Sequence, residues 1–417
     1  MKTVLLKNIM NSNALSFHMK DKEYINYLDT SSITENNITN IQKLFPKTDI
    51  IPSRAKRGIK KDTIVYSTVR PNLRHFGIIE KPLENMVVST GFTTLDVIDA
   101  EEYNPKYMYY NISQQKNTDY LQGIAQTNVS AYPSINDADL MNLELSISND
   151  INEQKKIADM LSALDDKIAL NNKINAELEN MAKTLYDYWF VQFDFPDENK
   201  RPYKSANGKM VYNEVLKREI PDGWEVGTFS DITTTQAGYA FKSSEWRKNG
   251  HPVLTIKAIE NNSINMSETS YIENYQEKYM KYSVSNGNIV LAMTGNTIGK
   301  IGIIASDIKN ILINQRVCVY KTDYKNLAYL YFNLLSDGIQ KKIWQIAQNS
   351  SQPNVSEEQL NSLSIVLPPK DLLNRYNKIS SFSFEQIVNN NIENQQLSKL
   401  RDFLLPLLMN GQVSVQV

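Results

Sequence analysis

Cysteine and histidine are scarce in this chain, and their scarcity excludes several kinds of site. The 417 residues include one cysteine, Cys318, so no disulfide can form within the chain, as is usual in a reducing cytosol. The three histidines, His18, His75 and His251, are scattered and offer no cluster for a structural zinc ion. We therefore expect no metal site.

Long apolar runs are also missing. No stretch approaches the roughly 20 apolar residues that cross a bilayer, and residues 1–10 lack the apolar core of a secretory signal. We expect a soluble, cytoplasmic protein. A chain of 417 residues is too long for a single core, which indicates two or more domains.

An excess of charge is absent as well. There are 45 basic and 46 acidic residues, for a net charge of −1. Proteins that coat nucleic acid without sequence preference are usually strongly basic. Any contact with nucleic acid must therefore come from local clusters.

Motifs for catalysis and nucleotide binding are incomplete. Asn104-Pro105-Lys106-Tyr107 is similar to the Asn-Pro-Pro-Tyr motif of adenine methyltransferases, but no glycine-rich cofactor loop accompanies it. A helix that begins with proline in its first turn explains the quartet better. In the segment 295–300, Ile301 follows Lys300 where a phosphate loop needs serine or threonine. We expect no catalytic residues and no cofactor in this chain.

What the sequence does contain is a repeat of itself. Ile64-Val65 and Gly77-Ile78-Ile79 match Ile289-Val290 and Gly302-Ile303-Ile304 at an offset of 225 residues. Further blocks follow in the same order: residues 107–111 match 329–333 and residues 124–126 match 346–348 at an offset of 222, and Pro133, Ile135, Leu140, Leu143 and Leu145 match Pro353, Val355, Leu360, Leu363 and Ile365 at an offset of 220. These blocks predict two copies of one domain of about 145 residues.

The pattern within each copy is mixed. Short β-rich runs at residues 63–69, 253–259 and 289–293 lie among glycine, asparagine and proline. One helical segment follows in each copy, at residues 105–113 and 327–336. The copies are therefore predicted to be α+β domains with a curved sheet and many loops.

Two long helices are predicted between and after the copies. Residues 152–190 carry apolar side chains at the spacing of a heptad seam, and residues 372–409 repeat this pattern at an offset of 219. A lone amphipathic helix of about 40 residues is poorly ordered in water. We therefore expect the two helices to pack as an antiparallel pair, which makes the architecture pseudo-two-fold symmetric. Asparagines occupy seam positions and would fix the register: Asn171, Asn175, Asn390 and Asn394.

Several motifs resemble those of the specificity (S) subunits of type I restriction-modification enzymes, over essentially the whole chain. In the first long helix they are residues 153–158, residues 164–168, Asn171-Asn172 and residues 185–190. In the second copy they are Ile220-Pro221-Asp222-Gly223-Trp224, Gly238-Tyr239-Ala240-Phe241, the glycine segment 294–300, and Gln352-Pro353-Asn354-Val355 before Leu367-Pro368-Pro369. The first copy departs from this pattern, because Ser67-Thr68-Val69-Arg70-Pro71-Asn72 stands where the glycine segment would fall.

The resemblance implies a non-catalytic subunit that selects a bipartite DNA target. Two target-recognition domains, residues 1–148 and 223–369, would each read one half. Residues 149–195 would form the central helix, residues 196–222 a polar connector, and residues 370–417 the C-terminal helix. The fold class implied is α+β, with two similar domains separated by an antiparallel pair of long coiled-coil helices.

The resemblance also implies partners. The helices would set the spacing of the two domains and dock two methyltransferase (M) subunits, to which restriction/translocase (R) subunits add. Adenine-N6 methylation with S-adenosylmethionine, and cleavage that depends on ATP and Mg²⁺, would belong to those partners. The residues alone leave two other functions open: a standalone nuclease or methyltransferase, and a coiled-coil scaffold whose globular ends bind proteins. An orphan specificity subunit that serves another locus is a variant of the first function.

Candidate DNA contacts come from basic clusters in both copies, since lysine and arginine bind phosphates while arginine and asparagine also read base edges. The same charges would suit an ordinary solvated surface. The candidates in the first copy are Arg54, Lys56, Arg57, Lys60, Lys61, Arg70, Asn72 and Arg74. Those in the second are Lys242, Arg247, Lys248, Lys257, Asn296 and Lys300.

An aromatic cluster ends the first long helix. Its side chains either pack the helix against the second copy or form part of a docking surface for an M subunit, and the two roles are compatible. The residues are Tyr186, Tyr188, Trp189, Phe190, Phe193 and Phe195.

Overall fold

The computed structural model describes residues 1–20, 22–127, 132–322, 324–348 and 353–415. Gln352, part of one motif above, lies outside the described residues. The chain divides into two compact units. Unit 1 comprises Met1–Lys167 and Leu397–Val417, and unit 2 comprises Ile168–Gln396.

The first part of the chain, through the first long helix, forms short strands and four helices. The strands are β1 (Lys2–Leu5), β2 (Met10–Ser12), β3 (Ile25–Leu28), β4 (Ile33–Thr34), β5 (Asn37–Ile38), β6 (Gln42–Leu44), β7 (Ala55–Gly58), β8 (Thr63–Ser67), β9 (Phe76–Ile79), β10 (Met86–Ser89), β11 (Phe92–Val97) and β12 (Glu144–Ile147). The helices are α1 (Pro105–Ile112), α2 (Gln115–Thr127), α3 (Asp137–Met141) and α4 (Ile151–Tyr186).

Two four-stranded sheets form the centre of unit 1. One has the antiparallel order β2-β11-β8-β9, and the other has the order β6-β3-β10-β7, in which β3 and β10 run parallel. Every residue of β8 and β9 is buried, which explains why these strands have no alternating pattern. The sequence predicted a single curved sheet. The second sheet was missed because its strands, of three or four residues each, are too short to show a period.

The helices of unit 1 explain the Asn-Pro-Lys-Tyr motif and show that the predicted number of helices is wrong. The Asn104 side chain accepts a hydrogen bond from the Tyr107 backbone N–H at 2.9 Å, and Pro105 is the first helical residue, so the Asn-Pro-Lys-Tyr quartet begins α1. The prediction of one helix at this point is wrong, because α2 follows. Its sequence is mostly polar, and few side chains such as Leu121 and Ala125 are buried, so its apolar period is weak.

The second part of the chain again forms short strands and four helices. The strands are β13 (Met210–Asn213), β14 (Arg218–Pro221), β15 (Glu225–Thr228), β16 (Thr234–Ala237), β17 (Trp246–Arg247), β18 (His251–Leu254), β19 (Ile259–Glu260), β20 (Ser263–Ile264), β21 (Ser270–Ile272), β22 (Ser283–Val284), β23 (Ile289–Ala292), β24 (Ile301–Ile303), β25 (Ile311–Ile313), β26 (Val317–Lys321) and β27 (Ser364–Leu367). The helices are α5 (Tyr324–Leu335), α6 (Asp337–Ala347), α7 (Glu357–Asn361) and α8 (Lys370–Met409).

The sheets of unit 2 correspond to those of unit 1, except that its second sheet has one strand more. Its four-stranded sheet β16-β26-β23-β24 matches β2-β11-β8-β9. Its other sheet, β17-β21-β18-β25-β22, again contains one parallel pair, β18 with β25. The closing pairs β1–β12 and β15–β27 also correspond. The predicted α+β duplication is therefore confirmed in the fold.

The segment predicted to be a polar connector contains an ordered hairpin. β13 and β14 pair antiparallel, with Val211 opposite Ile220. Ile220 and the following Trp224 are buried in the core of unit 2. Each strand has only four residues, too few to show an alternating pattern in the sequence.

Within unit 2 the two long helices pack antiparallel. Asn171 of α4 contacts Asn394 of α8, and farther along α4 the Ala182 carbonyl accepts a hydrogen bond from the Tyr376 hydroxyl at 3.2 Å. Residue numbers therefore increase along α4 in the direction in which they decrease along α8, as expected for the predicted antiparallel pair.

The aromatic cluster packs inside unit 2. Tyr186, Trp189 and Phe190 are buried, and the Phe190 ring centre lies 4.9 Å from that of Tyr329 in an edge-to-face contact. Tyr188 is 40% exposed. The packing role predicted for the cluster is the one observed, while Tyr188 faces outward.

Membrane and metal signals are lacking in the described residues. Nowhere in those ranges does a helix combine the length and the apolar character needed to cross a membrane. No three His, Cys, Asp or Glu side chains of the described residues lie close enough to hold a metal ion. Cys318 is buried, and burial raises the pKa of its thiol to about 12, so it stays protonated and unreactive at neutral pH.

Candidate functional site

The candidate cations of unit 1 lie in two places. Arg54 precedes β7, Lys56 and Arg57 belong to it, and Lys60 and Lys61 lie in the turn that leads to β8. The second place is the loop between β8 and β9, named here the 70–74 loop, which carries the candidates Arg70, Asn72 and Arg74. Most of these side chains are exposed, but those of Arg57 and Arg74 are partly buried.

The 70–74 loop has an unusual backbone. Arg70 and Arg74 both have positive φ, 49° and 54°, at the two ends of a single 3-10 turn. Such angles are uncommon for residues other than glycine and concentrate at functional sites. The Arg70 guanidinium lies 4.9 Å from the centre of the exposed Tyr132 ring. The backbone N–H of Asn72 donates to Gln122 at 3.1 Å, and the Asn72 side chain is exposed.

Three candidate cations of unit 1 are instead held by protein groups. Arg74 forms an ion pair with Glu35 and donates to Gln115 at 2.7 Å and to the Ser113 carbonyl at 3.2 Å. Arg57 lies 3.9 Å from a carboxylate oxygen of Asp137, and Lys60 lies 3.8 Å from one of Asp96. Because its donors are engaged inside the unit, Arg74 is a structural residue of the loop more than a free contact.

The candidate contacts of unit 2 lie around β17, in a 3-10 turn and in the β23–β24 loop. Lys242, Arg247 and Lys248 surround β17, and Lys257 lies in the 3-10 turn Ile256–Ala258. Arg247 donates to the Ser244 and Trp246 carbonyls at 2.7 and 3.0 Å and pairs with Glu273 at 3.3 Å. Asn296 and Lys300 are exposed in the β23–β24 loop.

The β23–β24 loop of unit 2 is the counterpart of the 70–74 loop. At the offset of 225 residues, Gly295 and Gly299 fall on Arg70 and Arg74, and they too have positive φ, 70° and 80°. The anchoring also corresponds: the backbone N–H of Arg70 donates to the Pro133 carbonyl, and that of Gly295 donates to the Pro353 carbonyl. Unit 1 thus places arginine at two positions whose backbone favours glycine, at a cost of roughly 1–2 kcal/mol each.

The four predicted asparagines come together in unit 2. Asn171 donates to Asn394 at 2.9 Å, and Asn390 donates to Asn175 at 2.8 Å. Two further bonds link them to neighbours on the opposite helix: Asn175 donates to Asn391 at 2.9 Å, and Asn394 donates to Asn172 at 2.8 Å. Exchanging the helices by the offset of 219 residues converts each bond into another bond of the set. This asparagine cluster therefore has local two-fold symmetry.

The helices also expose apolar side chains beside the seam. In unit 1 these include Met160, Leu400 and Phe403, at 37%, 45% and 65% exposure. In unit 2 they include Met181 and Ile379, at 67% and 58%. The offset of 219 relates Met160 to Ile379 and Met181 to Leu400, so these two pairs of exposed apolar positions repeat, whereas Phe403 falls on Thr184. We name these exposed apolar side chains the apolar flank.

Comparison with known proteins identifies the family. A duplicated α+β unit joined to paired asparagine-bearing helices defines a protein with two related recognition domains. The family model described as "Type I restriction modification DNA specificity domain" matches residues 3–180 and 221–401. The chain belongs to this family.

Comparison with individual proteins gives the same family. The chain is 26% identical to the type I restriction enzyme HindI specificity subunit of Haemophilus influenzae, over 87% of this chain and 89% of the relative. It is 25% identical to the MjaIX specificity subunit of Methanocaldococcus jannaschii, over 86% and 79%. The S subunit of a type I restriction-modification system from M. genitalium has a similar fold, with a TM-score of 0.54, 15% identity and coverage of 98% and 95%.

Sequence reasoning missed some residues of this site. Tyr132 supports Arg70, and Glu35 binds Arg74, yet neither carries a motif. An aromatic residue before Pro133, in the repeated Pro block, was the available signal for Tyr132. The apolar flank could have been found by applying the offset of 219 to apolar positions outside the seam.

The asparagine cluster generates the first prediction. Asn171→Leu should lower the free energy of unfolding by about 1–3 kcal/mol, because Asn394 and Glu393 lose a donor in a poorly hydrated place. Asn171→Leu combined with Asn394→Leu should recover most of that loss, since an apolar pair replaces the amide pair. Denaturant unfolding of both single variants and the double variant measures the coupling.

The matched control for this cycle is Asn389→Leu, an exposed asparagine on α8. It should change stability by less than about 0.5 kcal/mol. If the losses of unfolding free energy in the two single variants simply add in the double variant, the two amides do not stabilise each other.

The strained loop generates the second prediction. Arg70→Gly should leave the free energy of unfolding within about 1 kcal/mol of the wild type, because relief at positive φ offsets the lost contact with Tyr132. The same variant should weaken DNA binding at least tenfold if Arg70 contacts DNA. Arg74→Gly is the contrasting control: it loses the Glu35 ion pair and should be less stable than Arg70→Gly. Arg70→Gly with unchanged DNA affinity would remove Arg70 from the interface.

Proposed function

We propose that this chain is the non-catalytic subunit that selects the DNA target of a type I restriction-modification complex, and that each domain reads one half of a bipartite sequence. The observation that carries this proposal is the pair of corresponding loops, 70–74 and β23–β24. They share a backbone and an anchoring bond but present different side chains.

Those side chains suit base reading. Arg70 and Asn72 on one loop, and Asn296 and Lys300 on the other, are exposed donors of the kind that pair with base edges in the major groove. Because the two sets differ, the two half-sites should differ in sequence. The shape and deformability of the DNA would add to this direct reading of bases.

The surrounding lysines suit backbone contacts. Lys56 and Lys61 in unit 1, and Lys248 and Lys257 in unit 2, are exposed and form no ion pair with any described residue. A protein with a net charge of −1 has no general attraction for DNA, so such local clusters would supply it. Their contacts with phosphates would position each domain and would weaken as salt rises.

The long helices would set the spacing of the half-sites. α4 is a continuous helix of 36 residues, about 54 Å long at 1.5 Å per residue. This length exceeds one DNA turn of roughly 34 Å. The asparagine cluster would keep the helices from sliding, so that the distance between reading loops stays constant.

The apolar flank would dock the M subunits. Two pairs of its positions repeat with the offset of 219, so the flank offers two equivalent surfaces, which fits two copies of one partner. R subunits would join this assembly. S-adenosylmethionine, ATP and Mg²⁺ would act in these partners.

A domain exchange tests the proposed function. Replacing residues 1–148 with the matching domain of a relative should change one half of the methylated motif and leave the other half and the spacer intact. The measurement is sequencing of methylated adenines in cells that express the complex. A change in both halves would contradict the division of labour, and the absence of any methylated motif would contradict the function.

The alternatives give different results in simpler assays. DNA turnover or S-adenosylmethionine binding by the purified chain alone would favour an enzyme. Footprinting with the assembled complex should show two protected patches separated by unread base pairs. A scaffold that binds only proteins would protect none.

The docking surface generates a further prediction. Met181→Glu and Leu400→Glu, which are related by the repeat, should each weaken assembly with M subunits about tenfold or more, because a charge replaces an apolar contact. Size-exclusion chromatography with light scattering measures the stoichiometry. Met280→Glu is the control, since Met280 is 71% exposed but lies away from the long helices. Equal assembly of all three variants would place the docking surface elsewhere.

A further inference from the structure

Charged side chains form a continuous network in unit 1. The Tyr110 hydroxyl donates to Asp165 at 2.6 Å, and Arg401 donates to the other oxygen of Asp165 at 2.9 Å. Arg401 also lies 3.5 Å from Glu35, whose second carboxylate oxygen pairs with Arg74. The network therefore runs from α1 and α4, through Arg401 of α8, to the 70–74 loop.

Glu35 occupies the tip of the β4–β5 hairpin, which grips the loop by its backbone as well. The Glu35 N–H donates to the Arg74 carbonyl at 3.0 Å, and the Asn36 N–H donates to the Phe76 carbonyl at 2.9 Å. The Asn36 side chain in turn accepts from the Ile78 N–H at 2.9 Å. The hairpin is thus bonded to both the end of the loop and the start of β9.

Two groups of the network, Arg401 and Tyr110, have raised pKa values. Burial lowers the pKa of the Arg401 guanidinium, but the carboxylates of Asp165 and Asp402 raise it by more, so the net pKa is raised. Burial, and next the negative charge of Asp165, raise the pKa of the Tyr110 hydroxyl, which remains a donor.

Unit 2 has no such network at the corresponding positions. The offsets of 222 and 219 place three apolar residues on Tyr110, Asp165 and Arg401: Phe332, Phe384 and Ala182. All three are buried, and the rings of Phe332 and Phe384 pack edge to face with centres 5.7 Å apart. At these three positions the contact between the long helices and the domain is apolar in unit 2, and beside it the Tyr331 hydroxyl donates to Glu179 of α4 at 2.8 Å.

This internal comparison shows what the charges contribute. Replacing a partly buried ion-pair network by well-packed apolar residues is often neutral or stabilising. Stability alone does not require Asp165 and Arg401. What differs between the units is the charged link from the long helix to the loop: in unit 1 it passes through Glu35, whereas in unit 2 the Gly299 carbonyl accepts a hydrogen bond from Gln340 of α6 at 3.1 Å.

We propose that Glu35 is a positioning residue that holds the 70–74 loop in its reading conformation by joining Arg74 to Arg401. This inference rests on the proposed function. The shared carboxylate balances two guanidinium groups, so its removal leaves two cations facing each other and frees the loop that carries Arg70 and Asn72.

The first experiment is Glu35→Gln in the full chain, studied by hydrogen exchange without DNA. Amides of the peptide that covers residues 70–78 should exchange about tenfold faster, because the loop opens locally. The control is Glu84→Gln, since Glu84 accepts a hydrogen bond from Tyr24 at 2.9 Å but lies outside the network. Unchanged exchange in Glu35→Gln would overturn the proposal.

The second experiment measures half-site discrimination in the complex with M subunits. Glu35→Gln should raise methylation of sites that carry a mismatch in the half read by unit 1 about tenfold, and should leave discrimination in the other half unchanged. Faster loop exchange with unchanged discrimination in both halves would show that the loop does not read DNA. That result would overturn the assignment of the loop in the proposed function, and the proposal with it.

A third variant separates positioning from folding. Combining Tyr110→Phe, Asp165→Phe and Arg401→Ala copies the apolar joint of unit 2 and leaves Glu35 in place. We expect a Tm within a few degrees of the wild type but the same faster exchange at residues 70–78. Wild-type exchange in this folded variant would show that Arg401 does not transmit position to the loop, and would overturn the proposal.

Discussion

The structure depends on one constraint: amides in the middle of the helix seam must find partners. Asn171 is almost fully buried, and an unpaired buried amide costs about 1–3 kcal/mol. In the observed register Asn171 meets Asn394 and Asn175 meets Asn390, and neighbouring asparagines complete the set. A slip by one heptad would keep apolar side chains in the seam but would leave these amides without their partners. The asparagines therefore cost stability and define a unique register.

The two units have similar folds but carry different side chains on their surfaces. Their strand orders and closing pairs correspond, and the 70–74 and β23–β24 loops both begin and end at left-handed positions. Glycine holds those positions in unit 2, at Gly295 and Gly299, whereas arginine holds them in unit 1. The Arg74 side chain is bonded inside unit 1 and stabilises the loop, whereas the Arg70 side chain is exposed beside Tyr132. The side chains of these loops can differ in this way because the strain lies in a surface loop, while the buried strands β8 and β23 beneath it correspond.

Periodic and repeated features were predictable from the sequence, and individual contacts were not. The offsets revealed the duplication because β8 and β23 are fully buried and tolerate few residue types. The heptad pattern predicted the helices and placed Asn171 and Asn394 in the seam. Helix α2 was missed because polar residues dominate it, and the β13–β14 hairpin was missed because its strands have only four residues each. Arg70 and Arg74 looked alike in the sequence. Glu35 and Tyr132 are distant from these arginines along the chain. Their positions in the structure show that Arg74 is held inside unit 1 and that Arg70 faces outward.

The contacts between the long helices and each domain differ because the loops above them differ in backbone strain. In unit 2 the glycines allow the β23–β24 loop to adopt its conformation without strain, so the joint beneath it needs only to fill space, and Phe384 with Phe332 does so. In unit 1 the loop is strained at Arg70 and Arg74 and would relax if nothing opposed it. An apolar contact has no preferred direction and cannot oppose such a change. Hydrogen-bonded charges can, because their energy falls steeply with distance and angle. The strained loop of unit 1 is therefore held by charged groups that reach it from α8, whereas the β23–β24 loop of unit 2 is held at Gly299 by the neutral side chain of Gln340.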